Sequence, residues 1–503
     1  MSKFYISTAI AYVNAPPHIG HALEFIQADA LSRYHRLIGD DTFYLTGTDE
    51  HGVKIYETAK EKGITTQELV DDNAEHFKAL NGILNLSNDD FVRTSSDRHK
   101  EGASKIWSKM FDAGDIYKGV YSGLYCVGCE AYVSEKDLDE EGFCPNHKKK
   151  PELLKEENYF FKLSKYSAQI KKAIESDEMK IVPQSRKNEM LNIIGDDGLP
   201  DISFSRPKEV LPWGITVPND ESQVMYVWCD ALSNYITAMG YAQEDERFKT
   251  YWPADVHLIG KDILRFHAGI WIGMLLSAGL SLPKSIYVHG FITSEGQKMS
   301  KSLGNVVDPL EYVEKYGTDS LRYFLLREIA SDDDGDFSKD RFVNVYNSEL
   351  ANSLGNLVNR VTMMVEKYAE GKAPAATEGE GVLNKIEEVL ANYHQGFKDF
   401  DLKAACEATV DLVNVANKYI DDKKPWTMAK IGDEALNDVL YNLLELLRHI
   451  AAMLLPILPD SAEKIAKQIG LNVGDLSLDS TFAVLKEGTQ IRSEDSLFPR
   501  IEE

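Results

Sequence analysis

His18-Ile19-Gly20-His21 sets two imidazoles three positions apart, just after Pro16-Pro17, where strand-like sequence gives way to helical spacing. Far along the chain, Lys298-Met299-Ser300-Lys301-Ser302 sets two ammonium groups in a loop flanked by Gly296 and Gly304. Imidazoles at a helix start can donate hydrogen bonds to phosphate oxygens, and the helix dipole favours an anion there. Loop lysines can close over further phosphates and neutralise charge on a departing group. Folded together, the two strings supply what attack on a nucleoside triphosphate needs. Each alone is as compatible with a solvated turn; their joint presence carries the weight.

A third cluster is Cys126-x-x-Cys129 followed by Cys144-x-x-His147. Two pairs with this spacing offer four soft or imidazole ligands to a tetrahedral zinc ion. With all four positions filled by protein, the single zinc is expected to be structural, stapling a segment that has little core. Cys229 and Cys406 belong to no such pattern and read as buried thiols.

These groups need elements to hold them. Residues 4–10 read as a buried strand, 20–37 as a helix and 41–46 as a second strand running into Gly47-Thr48-Asp49-Glu50-His51-Gly52. Strand, crossover helix, strand builds a parallel sheet, which binds ligands at its carboxyl edge. From 116 to 224 turn residues and charge dominate, and an inserted domain is expected. Sheet-like sequence returns at 225–228, 256–260 and 285–290. Asp262, just after the second of these, can accept from ribose hydroxyls or cap a helix. Beyond 346 the pattern is helical, with stripes at Leu350, Leu354, Leu357 and Val358 and at Leu440, Leu443, Leu444 and Leu447. There Asn356 and Arg360 share a helix face and Trp426 follows Pro425, a set able to read base edges and stack on unpaired bases. The organisation expected is α/β: a Rossmann-type parallel sheet (1–115 and 225–290) split by a zinc-binding insertion (116–224), a linking region (291–345) and an α-helical bundle (346–503).

The 503 residues carry a formal charge of −25, from 80 acidic against 55 basic side chains. That argues against indiscriminate nucleic-acid binding while leaving room for a local basic face. The longest apolar stretches, such as 268–276, are too short to span a bilayer, and no basic leader opens the sequence. A cytoplasmic enzyme without membrane association is expected.

On these strings the chain resembles the methionyl-tRNA synthetases, a family of class I aminoacyl-tRNA synthetases, over essentially its whole length. The resemblance implies that ATP and L-methionine, with magnesium, form methionyl-adenylate, and that the methionyl group passes to the 3′ end of tRNA(Met). It assigns His18, His21, Lys298 and Lys301 to catalysis, and Gly20, Asp262 and Ser300 with them to ATP. Ala9, Ile10, Tyr12, Asp49, Trp228, Ala231, Leu232, Tyr235, Ile263 and His267 align with the family's methionine pocket, Asp49 meeting the α-ammonium. The family commonly carries proline where Leu232 stands. Asn356, Arg360 and Trp426 would read the CAU anticodon. Many relatives use four cysteines where this chain has Cys126, Cys129, Cys144 and His147, and many carry a further C-terminal domain, so a monomer is expected. A branched-chain or cysteine specificity fits less well, since the insertion is short for a hydrolytic editing domain. A non-catalytic tRNA-binding protein would be expected to have lost one of the two strings, and a nucleotidylyltransferase acting on a small acid leaves the helical domain unexplained.

Overall fold

A computed structural model describes residues 2–133, 135–145, 148–299, 305–330, 333–377 and 379–502. Among them, seven strands form one parallel sheet in the order Ala11–Tyr12, Asp41–Asp49, Lys3–Thr8, Val256–Gly260, Ser285–His289, Lys180–Val182, with Asp90–Arg93 also paired to Asp41–Asp49. The central strands are buried almost throughout, as a parallel sheet covered on both faces requires. The chain order reverses between Lys3–Thr8 and Val256–Gly260, which opens a crevice at their carboxyl ends. Asp49 and His289 end their strands at that same edge.

Two expectations are corrected. Residues 225–228 do not return to the parallel sheet. Met225 ends the Asp220–Met225 strand of a small antiparallel sheet, and Val227–Leu232 is a helix. Four apolar residues in a row fit either state; Ala231 and Leu232, four residues after Val227 and Trp228, give the helical spacing. Nor is 116–224 wholly an insertion. After the long antiparallel pair Ile116–Cys126 and Glu152–Phe161, Lys180–Val182 joins the main sheet as its edge strand. Three residues are too few to register as a strand by pattern alone.

The Ile19–Leu37 helix buries Ala22, Leu23, Phe25, Ile26, Ala30 and Leu31, and with them Asp29. Asp29 pairs with Arg33 at 2.7 Å and with the fully buried Arg322 at 2.8 Å. Arg322 also donates to the carbonyls of Leu84, Pro456 and Ile457, at 3.1, 3.0 and 2.9 Å. The helix that carries the histidines is thereby joined to the helical domain. One apolar cluster runs from Phe4 and Leu23 through Leu321 and Phe324 to Leu440 and Leu447, so the two bodies share a core. The first apolar stripe begins in a π-helical segment, Tyr346–Gly355, that passes into Asn356–Tyr368; the second lies in Leu436–Leu454. No helix among the described residues is long and apolar enough to cross a membrane.

Candidate active site

His18 caps the Ile19–Leu37 helix, its Nδ1 accepting from the Gly20 N–H at 3.1 Å, while its own N–H donates to His21 Nδ1 at 3.2 Å. With both Nδ1 atoms accepting, each ring carries its proton on Nε2. A Cβ at residue 20 would lie 2.9 Å from His18 Cε1, so glycine is what lets the ring fold over the helix end. The rings sit 4.0 Å apart, and His21 packs edge-on against Phe77. Burial, with His18 and His289 beside it, holds His21 well below the usual imidazole range. His21 is therefore a neutral donor beside His18 at a helix N-terminus, an arrangement suited to phosphate oxygens.

Both line a cavity of about 940 Å³ at the sheet's carboxyl edge. All ten residues aligned with the methionine pocket line it, and so do Gly20, Asp262 and Met299. The Lys298 side chain, Ser300 and Lys301 lie outside what the structure describes.

Elsewhere in the cavity's lining, Trp228 stacks flat on Phe266 at 3.9 Å and meets His267 edge-on. Tyr235 is hydrogen-bonded to His267 Nε2 at 2.7 Å, and His267 Nδ1 faces the Ile263 carbonyl at 3.0 Å. The carbonyl can only accept, so the ring proton is on Nδ1 and the Tyr235 hydroxyl donates to Nε2. Burial lowers His267 to about 4, which keeps it neutral. It sits in a π-helical segment, Phe266–Trp271, of the kind found at functional sites. Asp49 is buried, and its Oδ1 has no hydrogen-bond partner among the described residues. Burial, then the nearby Asp230, pushes its carboxyl well above the usual range. Burial would raise Asp230 too, but His51 at 2.6 Å and His99 at 2.8 Å outweigh it and hold Asp230 at about 2. The wall thus presents Asp49, a carboxyl with no cation beside it among the described residues, and behind it lies Asp230, an ionised carboxylate already satisfied by two imidazoles.

The sulfurs of Cys126, Cys129 and Cys144 lie within 4.8 Å of one another, with Cys129 and Cys144 3.5 Å apart. Three thiols so close, two of them buried, can hold a metal ion that prefers soft ligands. His147 lies outside the described residues.

Comparison with known proteins fits this geometry. Residues 4–150 and 141–362 match the family of class I (M) tRNA synthetases, and 369–503 match the anticodon binding domain of methionyl tRNA ligase. The chain belongs to the methionyl-tRNA synthetase family. It is 46% identical to the methionine–tRNA ligase of Caldanaerobacter subterraneus over 99% of this chain and 79% of the relative, and 43% identical to that of Brucella suis over 99% and 98%. The Mycobacterium tuberculosis methionyl-tRNA synthetase solved with methionyl-adenylate superposes with a TM-score of 0.95 at 38% identity, over 99% of this chain and all of that one.

In this family member the helical-domain candidates stand outside the cavity. Asn356 is exposed, Arg360 pairs with Asp421 at 3.0 Å, and Trp426, 39% exposed, begins the Pro425–Ile431 helix soon after Asp421. Exposed Met363 and Ile431 lie on the same helices. Several cavity residues were not anticipated from sequence. Phe266 carries the Trp228 stack, and Glu24 reaches His289 Nε2 at 3.0 Å beside Asp262. Glu130 also lines the cavity. Glu24 alone carried a local signal, an acid one helical turn after His21.

Proposed function

We propose that this synthetase activates L-methionine with ATP and transfers it to the 3′ end of tRNA(Met). The methionine carboxylate attacks the α-phosphorus, and the O–P bond to pyrophosphate breaks. His18 and His21 donate to the charge that accumulates on phosphate oxygen, and Lys298 and Lys301, with Ser300, neutralise the departing pyrophosphate; magnesium accompanies ATP. Asp262 accepts from the ribose hydroxyls, and the backbone at Gly20 lets the nucleotide approach the helix. No side chain becomes covalently bonded, so the rate comes from position and electrostatics.

Asp49 takes the α-ammonium, the cation its buried carboxyl lacks. The side chain lies among Ala9, Ile10, Tyr12, Trp228, Ala231, Leu232, Tyr235, Ile263 and His267, where a thioether gains from aromatic edges. Cys126, Cys129, Cys144 and His147 hold one zinc ion, a structural tie for the insertion. Asn356, Arg360 and Trp426 read the CAU anticodon. The enzyme is cytoplasmic and monomeric.

The observation that carries this reading is the shared cavity: residues from four distant parts of the sequence, assigned separately to nucleotide and amino acid, line the same 940 Å³. ATP–pyrophosphate exchange with an amino-acid panel tests it. Exchange driven by methionine and not by leucine, isoleucine or cysteine is expected; equal rates with leucine would reject the specificity.

A further inference from the structure

The turn that bears Cys129 also sends a side chain out of the cysteine knuckle. Glu130 has a left-handed backbone, φ +48°, and is buried. Its Oε1 accepts from the Tyr12 hydroxyl at 2.9 Å and from the Lys54 N–H at 2.8 Å. Its Oε2 accepts from the Tyr125 hydroxyl at 2.5 Å, and its carbonyl from the Tyr226 hydroxyl at 2.7 Å. Of these partners Tyr12 lines the cavity, Tyr226 adjoins Val227, which also lines it, and Lys54 follows the lining residue Asp49 at a short distance in sequence. Tyr12 lines the cavity and stands in register with Asp49 on the adjacent strand. Lys54 is in the first turn of the Val53–Lys62 helix, just after His51-Gly52 begin to turn the chain away from Asp49 and Glu50. Tyr226 immediately precedes the helix of Trp228, Ala231 and Leu232.

Gly52 shows how closely these groups meet. At φ +122°, a Cβ there would fall 2.6 Å from the Tyr12 hydroxyl and 3.0 Å from Glu130 Oε1. Only glycine leaves room for the bond between them. A buried carboxylate is costly unless donors surround it, and here three donors converge on it, one of them, Tyr12, from the cavity wall.

We propose that Glu130 is a positioning residue through which the cysteine knuckle fixes the amino-acid end of the cavity, holding the Tyr12 ring, the start of the Val53–Lys62 helix and the Tyr226 hydroxyl in one arrangement. The inference rests on the reading of that end as the methionine site. It gives the knuckle a task beyond holding the insertion together: methionine affinity depends on it, and ATP affinity does not.

The test uses the full chain with its metal. Glu130→Ala, Glu130→Gln, Tyr12→Phe and the Tyr12→Phe/Glu130→Gln double variant are compared with wild type. Metal per chain, equilibrium methionine binding followed by tryptophan fluorescence, and the separate KM values for methionine and ATP in pyrophosphate exchange are measured. Glu130→Ala is expected to keep its metal, weaken methionine about tenfold and leave the ATP KM within about twofold. Glu130→Gln, which keeps an acceptor for Tyr12 and Lys54, should show a smaller loss. Its effect and that of Tyr12→Phe should combine to less than their product, because the first weakens and the second removes the same Tyr12–Glu130 hydrogen bond. Unchanged methionine binding in metal-loaded Glu130→Ala overturns the proposal, as does a parallel rise in both KM values with loss of metal. If Glu130→Ala does not fold, the Glu130→Gln and Tyr12→Phe pair decides, and independent effects overturn it. A wild-type enzyme that fails to exchange with methionine defeats the underlying reading instead, and that control is read first.

Discussion

At the cavity, Asp49, Tyr235 and His267 are buried and each neighbour is fixed, by the Tyr235–His267 bond, the flat Trp228–Phe266 stack and the imidazoles around Asp230. At the helical face, Asn356 and Trp426 are exposed, Arg360 is held by one partly exposed ion pair, and Lys423, Lys424 and Lys430 stand in solvent. The first setting buries its side chains, so each charge acts at lowered dielectric and a small ligand meets groups already in place. The second keeps side chains loosely held, which suits bases that must unstack and find them. A chain with a net charge of −25 can receive a polyanion only where such local cations gather. The comparison separates two kinds of failure: changes in the cavity should stop adenylate formation, and changes on the face should spare it.

The largest expected effect is at His21. Removing a preorganised donor to developing charge costs about 10²- to 10³-fold in rate. His21→Ala should lower pyrophosphate exchange by that factor at saturating methionine while equilibrium methionine binding is unchanged. If binding falls and the maximal rate survives, His21 acts on the amino acid, and the division of the cavity into two ends is wrong. Next is Asp49→Asn. Breaking a buried charge pair costs about 2–5 kcal/mol, so methionine KM should rise at least thirtyfold. Because burial and Asp230 raise the Asp49 carboxyl, it must ionise to meet the ammonium. Methionine affinity should therefore decline as pH is lowered from neutrality, and Asp49→Asn should remove that slope. A slope that persists in the variant would assign it to another group.

The cavity was legible in sequence to the extent that its members sit in strings. His18 to His21, Asp49 and its flanks, and Asp262 to His267 each follow a strand end, where a parallel sheet exposes side chains to ligand. Glu130 was not legible, since its meaning lies in Tyr12, 118 positions away, and in the space that Gly52 leaves. The pairing of Glu24 with His289 spans 265 positions and escaped for the same reason. The main sheet was readable at Lys3–Thr8, Asp41–Asp49, Val256–Gly260 and Ser285–His289; the short strands Ala11–Tyr12, Asp90–Arg93 and Lys180–Val182 were not, and the place of the last depends on a partner strand a hundred residues later. On the helical face, spacing put Asn356 and Arg360 together, but nothing local announced that Asp421 would orient Arg360.

On that face Trp426→Ala tests the other half of the comparison. Stacking is worth about 1–3 kcal/mol per base, so tRNA charging should fall about 5- to 100-fold, chiefly in KM for tRNA. Pyrophosphate exchange without tRNA should be unaffected. A fall in both assays would mean that the shared core through Leu321 and Arg322 transmits damage from one body to the other, and that the face and the cavity are not separable.

The smallest effect concerns stability, and a histidine from each region shows its sign. Burial holds His267 in the cavity at about 4, and burial with Arg448 beside it holds His449 in the bundle at about 4, both below the usual 6.5. These are bases with depressed folded values. Between 6.5 and 4 the unfolded chain takes up a proton that the folded chain refuses, so their contribution is complete above 6.5 and is lost as pH falls toward 4. Each is worth on the order of 3 kcal/mol at most. Asp230, held at about 2, adds slope only toward the bottom of this window, where the unfolded carboxylate begins to take up a proton near 3.8. Asp49 adds a slope of opposite sign, because its raised carboxyl keeps a proton that the unfolded chain has released. The melting temperature should therefore drop between pH 7 and pH 4.5, with His21 and His257, both also lowered by burial, adding to the fall and Asp49 opposing it. His449→Gln should flatten the profile without touching exchange, and Asp49→Asn should steepen it. Because one core spans both bodies, each variant should still melt in a single transition; two transitions would show that sheet and bundle unfold apart.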